Sequence, residues 1–384
     1  MPAKMSVPYN YLGKQFAEGS SLRSEIMKDI GGLVDTGDYT LGSWVPKFEE
    51  AWAEKMRAKY AVGVSNGTDA LFLIMKAMGI GPGDFVVTQT NTFLATVGAI
   101  LQAGAQPVLA DVGDDYLISL DSAFKRLERE VPFDDRRKTA FCPVDLTGNP
   151  TPVHKMPLRK RSTFRDAAQA VGATYDNRPL TQDVTACSYS LHPLKNVHGW
   201  TDSGVVTTDD ESLAKEIKLL RNHGLKDRDT CVVPGYNHRI STLAAIVGYH
   251  VLGRESWITE TRRSNAKIYD QGLAGVKAIK IPTRDPLARQ AYHTYVVQTN
   301  GRDHLKAHLE QHGIETKVHY PIPVHLQPGF AFLGYKKGDF PVAENQAANI
   351  LTLPVHEYLS TEQLEYVVGT IRDFYAHAEG ALPS

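Results

Sequence analysis

The chain has 384 residues, of which 42% are hydrophobic and 22% charged, a composition typical of a globular protein with room for two domains. The 42 basic and 43 acidic residues nearly balance, so composition gives no electrostatic case for nucleic acid or an anionic membrane as a partner. The N-terminus lacks a signal peptide's apolar core, and no apolar run reaches the length of a membrane span. Three widely spaced cysteines, without disulfide-framework spacing, favour a cytoplasmic location.

Predicted strands and helices alternate from about residue 45 to about residue 225. The predicted elements are helices at 48–59, 69–78 and 93–103 and strands at 60–64, 85–89, 107–110, 139–144 and 204–208. This alternation indicates an α/β fold with a mostly parallel sheet, helices on both faces, and ligands outside the carboxyl ends of the strands.

After about Arg254 the pattern changes to that of a smaller α+β domain. Its predicted elements are helices at 258–273, 303–312 and 361–376 and a strand at 292–298. We therefore predict a large domain over residues 1–253, which includes the N-terminal segment, and a small C-terminal domain over residues 254–384.

The stretch VSNGTDALFLI, residues 64–74, follows a predicted strand and opens a predicted helix. Gly67 lets backbone N–H groups approach an anion, Thr68 adds a hydroxyl, and the helix N-terminus supplies partial positive charge. We predict a phosphate site here, while a simple helix cap explains the same residues equally well. The glycines of GIGPGD, residues 79–84, follow a helix and precede a strand, which argues against a nicotinamide dehydrogenase.

The stretch RDAAQAVGA, residues 165–173, is predicted to end a strand and begin a turn. Asp166 at the strand's carboxyl end could bind the N–H of a protonated pyridine ring and keep that ring cationic. Gln169 on the following turn could hydrogen-bond a ring substituent. The alternative is that Asp166 caps a helix and that Gln169 is exposed.

Lys195 stands alone in SYSLHPLKN, residues 188–196, at a predicted strand-to-loop junction. A desolvated lysine loses part of its preference for the charged form, and its neutral amine can attack an aldehyde to form a Schiff base. Ser190 and His192 lie just upstream, within reach as phosphate or proton partners. Any single lysine is usually a solvated surface amine. Together with the phosphate site and Asp166, however, Lys195 indicates a site for pyridoxal 5′-phosphate (PLP).

In this order and spacing the motifs resemble the DegT/DnrJ/EryC1/StrS family of sugar aminotransferases, which are fold-type I PLP enzymes. The resemblance covers nearly the whole chain. It includes GDYTLGSWVPKFEEAWA (37–53), NTFLATVGAI (91–100), RNHG (221–224), GYNHRISTLAAIVG (235–248) and HYPIPVHLQP (319–328). It implies a mostly parallel seven-stranded sheet flanked by helices, a smaller C-terminal α+β domain, and a homodimer.

The resemblance also implies roles for the cofactor-binding residues. Lys195 would hold PLP as a Schiff base (the internal aldimine) and shuttle the proton. Asp166 would pair with the pyridine nitrogen, Gln169 would contact the ring hydroxyl, and Phe93 would stack on the ring rather than belong to the core.

Further implied roles concern the phosphate and the substrate. Asn237 would reach the phosphate of the neighbouring subunit, so that two subunits share each active site. The phosphate-binding residues within one subunit would be Gly67, Thr68 and Ser190. The expected substrate-binding residues are His192, Tyr320 and His325.

The implied activity is transfer of an amino group from glutamate or glutamine to a ketosugar, most simply a nucleotide-linked one, through pyridoxamine phosphate. A free or phosphorylated ketosugar or a cyclitol is the alternative acceptor. Related sugar dehydratases carry histidine in place of the lysine, so Lys195 disfavours that activity, and a PLP-bound regulator would not need the lysine. Arg221 and Arg239 could contact a diphosphate or carboxylate, although ion pairs are the favoured alternative. The histidines show no metal-ligand spacing, and we expect no metal.

Overall fold

The structure is a computed structural model that describes residues 5–131, 138–157 and 159–379. In this part of the chain the α-helices are α1 (Leu12–Gln15), α2 (Ser21–Thr36), α3 (Trp44–Lys55), α4 (Gly67–Ala77), α5 (Leu94–Gln102), α6 (Leu120–Glu130), α7 (Glu211–Leu220), α8 (Thr242–Leu252), α9 (Glu255–Leu273), α10 (Arg302–Gln311), α11 (Pro341–Asn349) and α12 (Thr361–Glu379). None of these described helices combines the length and hydropathy that a membrane span requires.

The strands are β1 (Tyr60–Val64), β2 (Phe85–Gln89), β3 (Gln106–Ala110), β4 (Thr139–Phe141), β5 (Arg165–Asp166), β6 (Thr174–Tyr175), β7 (Arg178–Pro179), β8 (Ala186–Ser190), β9 (Gly204–Thr208), β10 (Ala288–Arg289), β11 (Tyr295–Gln298) and β12 (Ile350–Leu353). Short 3-10 turns occur at Leu146–Gly148, Val153–Lys155, Lys160–Ser162, Leu180–Asp183, Val324–Leu326 and Pro328–Leu333.

Within the described residues, the large sheet has seven strands in the order β3-β2-β4-β5-β8-β9-β1. The strands β3, β2 and β4 pair in parallel, as do β5 and β8. Parallel bridges from Phe141 to Thr163 and from Val144 to Asp166 join β4 to β5. Only β9 runs against its neighbours, β8 and β1. The predicted mostly parallel sheet is therefore confirmed.

Helices cover both faces of this sheet. Val206 packs in a cluster with the stretch Ala70–Met75 of α4, which is buried throughout. Val205, its neighbour in β9, packs on the other face in a cluster with Tyr189 and Trp52 of α3. Consecutive strand residues point to opposite faces, so both faces of β9 are buried. This explains why the strands read as continuous apolar runs rather than as alternating ones.

The predicted bounds of β1, β2 and β9 agree with the structure, whereas several helix ends differ. The helix predicted at 48–59 is α3, which begins at Trp44 and ends at Lys55. Arg57 has a left-handed φ of 52°, a conformation through which an α-helix cannot continue. The strand predicted at 139–144 is similarly shortened to Thr139–Phe141.

The C-terminal part contains the antiparallel pair β11 and β12, which packs against α9, α10 and α12. Its buried cluster includes Tyr269, Leu305 and Val367. Val7 of the N-terminal segment packs in the same cluster and pairs with Ile314. The start of α9 at Glu255 lies close to the predicted domain boundary, and the division into residues 1–253 and 254–384 stays a prediction.

Candidate active site

A cavity of about 350 Å³ lies at the carboxyl ends of the parallel strands. Segments that follow β1, β2, β5 and β8 line it, because the carboxyl ends of parallel strands meet at one edge of the sheet. The C-terminal part and the N-terminal segment supply the remaining walls. The predicted site residues that line the cavity are Gly67, Thr68, Phe93, Asp166, Gln169, Ser190, His192, Lys195 and Tyr320.

The predicted phosphate site combines a helix cap with an open N-terminus. Asn66 caps α4 by accepting a 2.8 Å hydrogen bond from the backbone N–H of Asp69. Gly67 and Thr68 begin the helix and face the cavity. A side-chain Cβ placed on Gly67 would lie 2.9 Å from Cβ of Ser190, so only glycine lets the helix start this close to β8. The helix-cap and phosphate-site interpretations of this motif are compatible, because Asn66 caps the helix whereas Gly67 and Thr68 face the cavity.

Asp166 is buried, with 5% of its surface exposed, and its carboxylate is held at both oxygens. Thr96 donates a 2.7 Å hydrogen bond to Oδ2, and the backbone N–H of Ala168 donates one of 3.1 Å to Oδ1. Burial raises the pKa of Asp166, while these two hydrogen bonds and the charge of Lys195 oppose the increase. A cation placed against this carboxylate would offset the cost of burying it.

Lys195 is not a surface lysine. Its side chain lines the cavity, and burial lowers the pKa of its amine to about 8, against the opposing attraction of Asp166. The backbone N–H of Lys195 donates a 2.8 Å hydrogen bond to the carbonyl of His192, which fixes the turn after β8. The hydroxyl of Tyr11 contacts the carbonyl of Lys195 at 3.5 Å. A substantial neutral fraction of this amine is therefore present near pH 8.

Two further predicted residues, Phe93 and Gln169, line the cavity near Tyr320. Phe93 is 54% exposed, which makes it a wall of the cavity rather than part of the core. Gln169 accepts a 2.7 Å hydrogen bond from the backbone N–H of Thr147 and donates one of 3.3 Å to the hydroxyl of Tyr320. The Tyr320 ring lies 5.7 Å from the Phe93 ring.

The structure does not bring His325 into the cavity, contrary to its prediction as a substrate-binding residue. Its side chain is fully buried beside Phe340. One ring nitrogen lies 2.7 Å from the hydroxyl of Thr90, and the other lies 3.0 Å from a carboxylate oxygen of Glu344. Both nitrogens are therefore engaged inside the protein, and His325 has a structural role.

Asn237 lies outside the cavity of its own chain. It is exposed and pairs with Asn222 in an isolated bridge. The backbone of the adjacent His238 donates to the carbonyl of Arg221 and accepts from Ser65, so this loop runs beside the start of the phosphate site. Its exposure leaves Asn237 available to a second subunit.

The arginines near the motifs form ion pairs or hydrogen bonds within the protein. Arg165 pairs with Asp145 at 2.7 Å, and both side chains are almost completely buried. Arg221 forms a buried pair with Glu49 and donates to the carbonyl of Gly63. Arg239 donates a 2.9 Å hydrogen bond to the side chain of Asn222. The contacts of Arg221 are therefore structural, which was the favoured alternative to binding a diphosphate or carboxylate.

Sequence reasoning missed several residues of the site. Thr96, which holds Asp166, lies one turn into α5 within NTFLATVGAI, where an isolated threonine gave no signal. Other residues come from the N-terminal segment and the C-terminal part, far in sequence from the stretches that contain Asp166 and Lys195. These additional lining residues are Tyr9, Tyr11, Arg262, His293, His319 and His356. His319 lies next to Tyr320 in HYPIP, and that neighbour could have indicated it.

No cluster of three or more His, Cys, Asp or Glu side chains that could hold a metal ion occurs among the described residues. The expectation of a metal-free site stays a prediction.

Comparisons with known proteins show which family the chain belongs to. The model of the DegT/DnrJ/EryC1/StrS aminotransferase family matches residues 20–372. A pleiotropic regulatory protein of Geobacillus stearothermophilus is 37% identical over 380 residues, which cover 97% of this chain and 100% of that protein. The dTDP-3-amino-3,4,6-trideoxy-alpha-D-glucose transaminase of Streptomyces venezuelae is 33% identical over 380 residues, or 98% of each chain.

Among solved structures, that of DesV from S. venezuelae in complex with a ketimine intermediate has a TM-score of 0.90 and 32% identity, covering 96% of this chain and 98% of that chain. The resemblance inferred from the motifs is confirmed, and this chain belongs to the DegT/DnrJ/EryC1/StrS aminotransferase family.

Proposed function

We propose that this protein is a PLP-dependent aminotransferase that moves an amino group from glutamate or glutamine to a nucleotide-linked ketosugar. The observation that carries the proposal is the presence of Lys195 and Asp166 in one cavity beside the helix start at Gly67. A lysine amine, a buried carboxylate and a phosphate site are the groups that PLP requires from its protein.

The residues of the cavity fit PLP. The start of α4 and Ser190 offer a phosphate site so close-packed that a Cβ on Gly67 would touch the serine. Asp166 is buried and has no cationic partner at hydrogen-bonding distance among the described residues. Its carboxylate is therefore available to a protonated ring nitrogen. Phe93 offers an exposed aromatic face for stacking. When bound, PLP supplies an aldehyde that condenses with amines and a protonated ring that withdraws electrons.

The chain's own residues supply positioning and proton transfer. With its pKa lowered to about 8, the Lys195 amine can accept a proton from the α-carbon of the amino donor and return it to the acceptor's carbon. Asp166 would accept the hydrogen bond of the ring nitrogen, and the hydrogen bond from Thr96 holds that carboxylate in position. Gln169 accepts a hydrogen bond from the backbone of Thr147, which holds its amide in place, and this amide would contact the ring hydroxyl.

A nucleotide-linked acceptor is proposed because a relative of 33% identity is named as a transaminase of a dTDP-linked amino sugar. His192 and Tyr320, which line the cavity, are the proposed sugar contacts. A free or phosphorylated ketosugar or a cyclitol is the alternative acceptor, and activity on each class separates them.

A regulatory role is the second candidate function, because the Geobacillus relative is named as a regulatory protein. A protein that only binds PLP has no need of an amine whose pKa burial has lowered toward neutrality. Lys195 has such an amine, which favours the enzyme.

We propose that two copies of the chain share each active site. Asn237 is exposed beside the phosphate site of its own chain and is the residue proposed to reach the phosphate in the partner. The proposed compartment is the cytoplasm, and the three free cysteines are compatible with it.

The proposal is tested on purified holoprotein by absorbance and by trapping. The Schiff-base band should be present, and glutamate or glutamine should bleach it. Borohydride reduction and peptide mapping should place the pyridoxyl label on Lys195, and Lys195→Ala should lose turnover while still binding PLP noncovalently. A label on another side chain, or full activity in Lys195→Ala, contradicts the proposed site. A labelled Lys195 without bleaching by any common amino donor contradicts the aminotransferase and favours the regulator.

A further inference from the structure

His325 is buried outside the cavity, but it lies between two segments that carry cavity residues. The first segment, residues 90–93, follows β2 and ends at Phe93. The second contains Tyr320, which shortly precedes His325 in the chain and also lines the cavity. The ring centres of Phe93 and Tyr320 are 5.7 Å apart. The contacts of His325 therefore bear on how these two rings are placed.

Thr90 connects the first segment to the second by three contacts. The backbone N–H of Val324 donates a 3.0 Å hydrogen bond to the carbonyl of Thr90. The hydroxyl of Thr90 lies 2.7 Å from Nδ1 of His325 and accepts a 3.4 Å hydrogen bond from the backbone N–H of the same residue. Both side chains are buried. Because Phe93 follows soon after Thr90, the position of Thr90 limits where the Phe93 ring can lie.

Glu344 of α11 decides which nitrogen of His325 carries the proton. Its Oε1 lies 3.0 Å from Nε2 of His325 and also accepts hydrogen bonds from the backbone N–H groups of Gly338 and Phe340. A carboxylate oxygen that accepts these bonds requires an N–H at Nε2. Burial lowers the pKa of His325, so the ring is neutral and its Nδ1 is an acceptor. The hydroxyl of Thr90 therefore donates to His325, which donates to Glu344.

Asn91 joins the first segment to the same helix. Its Nδ2 donates a 2.9 Å hydrogen bond to Oε1 of Gln346, and Nε2 of Gln346 donates one of 2.8 Å to the carbonyl of Gly113. Both side chains are buried. Glu344 and Gln346 both belong to α11, so this one helix supports Thr90, through His325, and Asn91. A buried polar network whose members are bonded favours a single arrangement of the segments that it joins.

We propose that His325 is a positioning residue, which through Thr90 holds the Phe93 ring opposite Tyr320. Under the proposed function, on which this inference rests, Phe93 stacks on the PLP ring and Tyr320 contacts the sugar. The side chains of a binding site keep their geometry only when packing and hydrogen bonds behind them hold them in place. The structural role of His325 therefore extends to ligand binding, although its own side chain lies outside the cavity.

The first test is amide hydrogen exchange of the full-length apoprotein, which needs no ligand. Thr90→Val removes the hydroxyl and keeps the branched shape, whereas Thr90→Ser keeps the hydroxyl. Loss of one buried hydrogen bond should make exchange in residues 90–94 and 318–324 about fivefold faster in Thr90→Val. Thr90→Ser should stay within about twofold of the wild type. Unchanged exchange of both segments in Thr90→Val overturns the proposal.

Thr207→Val is the matched control. Thr207 is a buried threonine of β9 whose hydroxyl lies 2.7 Å from that of Thr181, and it does not line the cavity. The substitution should lower the thermal stability, as Thr90→Val does, but leave the exchange of residues 90–94 and 318–324 and the PLP affinity unchanged. Equal effects of Thr207→Val and Thr90→Val on these segments overturn the proposal, because they would reflect a general loss of stability.

The second test is titration of the apoprotein with PLP in a double-mutant cycle with Phe93→Leu. Thr90→Val should weaken PLP binding roughly three- to tenfold, which is the contribution of an aromatic contact. In the Phe93→Leu background it should weaken PLP binding by less than about twofold, because the effect acts through that ring. Equal losses in the two backgrounds, or an unchanged affinity in Thr90→Val alone, overturn the proposal.

Two substitutions of His325 separate the roles of its nitrogens. The side-chain oxygen of His325→Asn can replace Nδ1 as the acceptor for Thr90, so this variant should bind PLP like the wild type. The amide of His325→Gln can replace Nε2 as the donor to Glu344, and this variant should show the loss seen in Thr90→Val. The reverse order overturns the proposal, and the Thr90 variants decide if neither His325 variant folds. Wild-type protein that binds no PLP contradicts the proposed function, while hydrogen exchange still decides whether Thr90 and His325 hold the two segments.

Discussion

Replacement of Gly67 by alanine tests how closely the phosphate site is packed. The added Cβ would lie 2.9 Å from Cβ of Ser190 and 3.3 Å from its Cα, whereas carbon atoms normally pack at about 3.5–4.0 Å. Either α4 or β8 must therefore move by roughly half an ångström. Overpacking of this kind costs about 1–3 kcal/mol. The higher helix propensity of alanine offsets up to about 1 kcal/mol of this loss of stability in a helix interior, and less in a first turn such as this one.

The displaced groups are those proposed to hold the phosphate, so cofactor affinity should suffer more than folding. Gly67→Ala should raise the dissociation constant of PLP at least tenfold, which corresponds to about 1.4 kcal/mol. The measurement is titration of apoprotein with PLP, followed by absorbance, alongside thermal unfolding of the apoprotein.

Gly369→Ala is the matched control, because that glycine lies in α12 with no atom within 4 Å of an added Cβ. It should leave PLP affinity unchanged and keep or slightly raise stability. A folded Gly67→Ala protein that binds PLP within twofold of the wild type would refute the reasoning about the close approach of α4 and β8.

Three further predictions concern charge. The rate of Schiff-base formation between apoprotein and PLP should rise about tenfold per pH unit up to about pH 8 and then level off. Only the neutral Lys195 amine reacts, and burial lowers its pKa to about 8. The rate is measured by stopped-flow absorbance, and a continued rise toward pH 10 contradicts this prediction. Asp166→Asn should slow donor-dependent bleaching about 100-fold or more while PLP stays bound, since an amide cannot stabilise the ring's positive charge; bleaching at the wild-type rate contradicts the assignment. Arg221→Gln breaks a buried ion pair with Glu49 and should therefore lower the free energy of unfolding by about 3 kcal/mol in urea titrations. The Michaelis constant for the amino donor should not change. An altered Michaelis constant at unchanged stability would indicate that Arg221 contacts the substrate instead.

Local sequence patterns were sufficient for the bounds of β1, β2 and β9 in the large sheet. Stretches such as YAVGV and GVVTT contain little but apolar and β-branched residues, so their bounds follow from composition alone. The helix ends were less predictable, because they depend on single backbone conformations such as the left-handed φ at Arg57. The strand β5 has only two residues and no pattern that would give its bounds.

The motifs also indicated the chemistry of Lys195 and Asp166, which lie far apart in sequence. They share a cavity because β5 and β8 are adjacent and parallel, with Asp166 opposite Ser188, so both chains leave the sheet at the same edge. Fold class and strand direction therefore suffice to predict this proximity.

The sequence by itself determined the family, the mostly parallel α/β class and the residues proposed to hold the cofactor, because each is indicated by motifs and patterns within short stretches of the chain. Only the tertiary structure showed where the side chain of His325 lies, which is between Thr90 and Glu344 and outside the cavity. The environment of a polar side chain is set by elements remote in sequence, and whether its hydrogen bonds are complete becomes known only when those elements pack together.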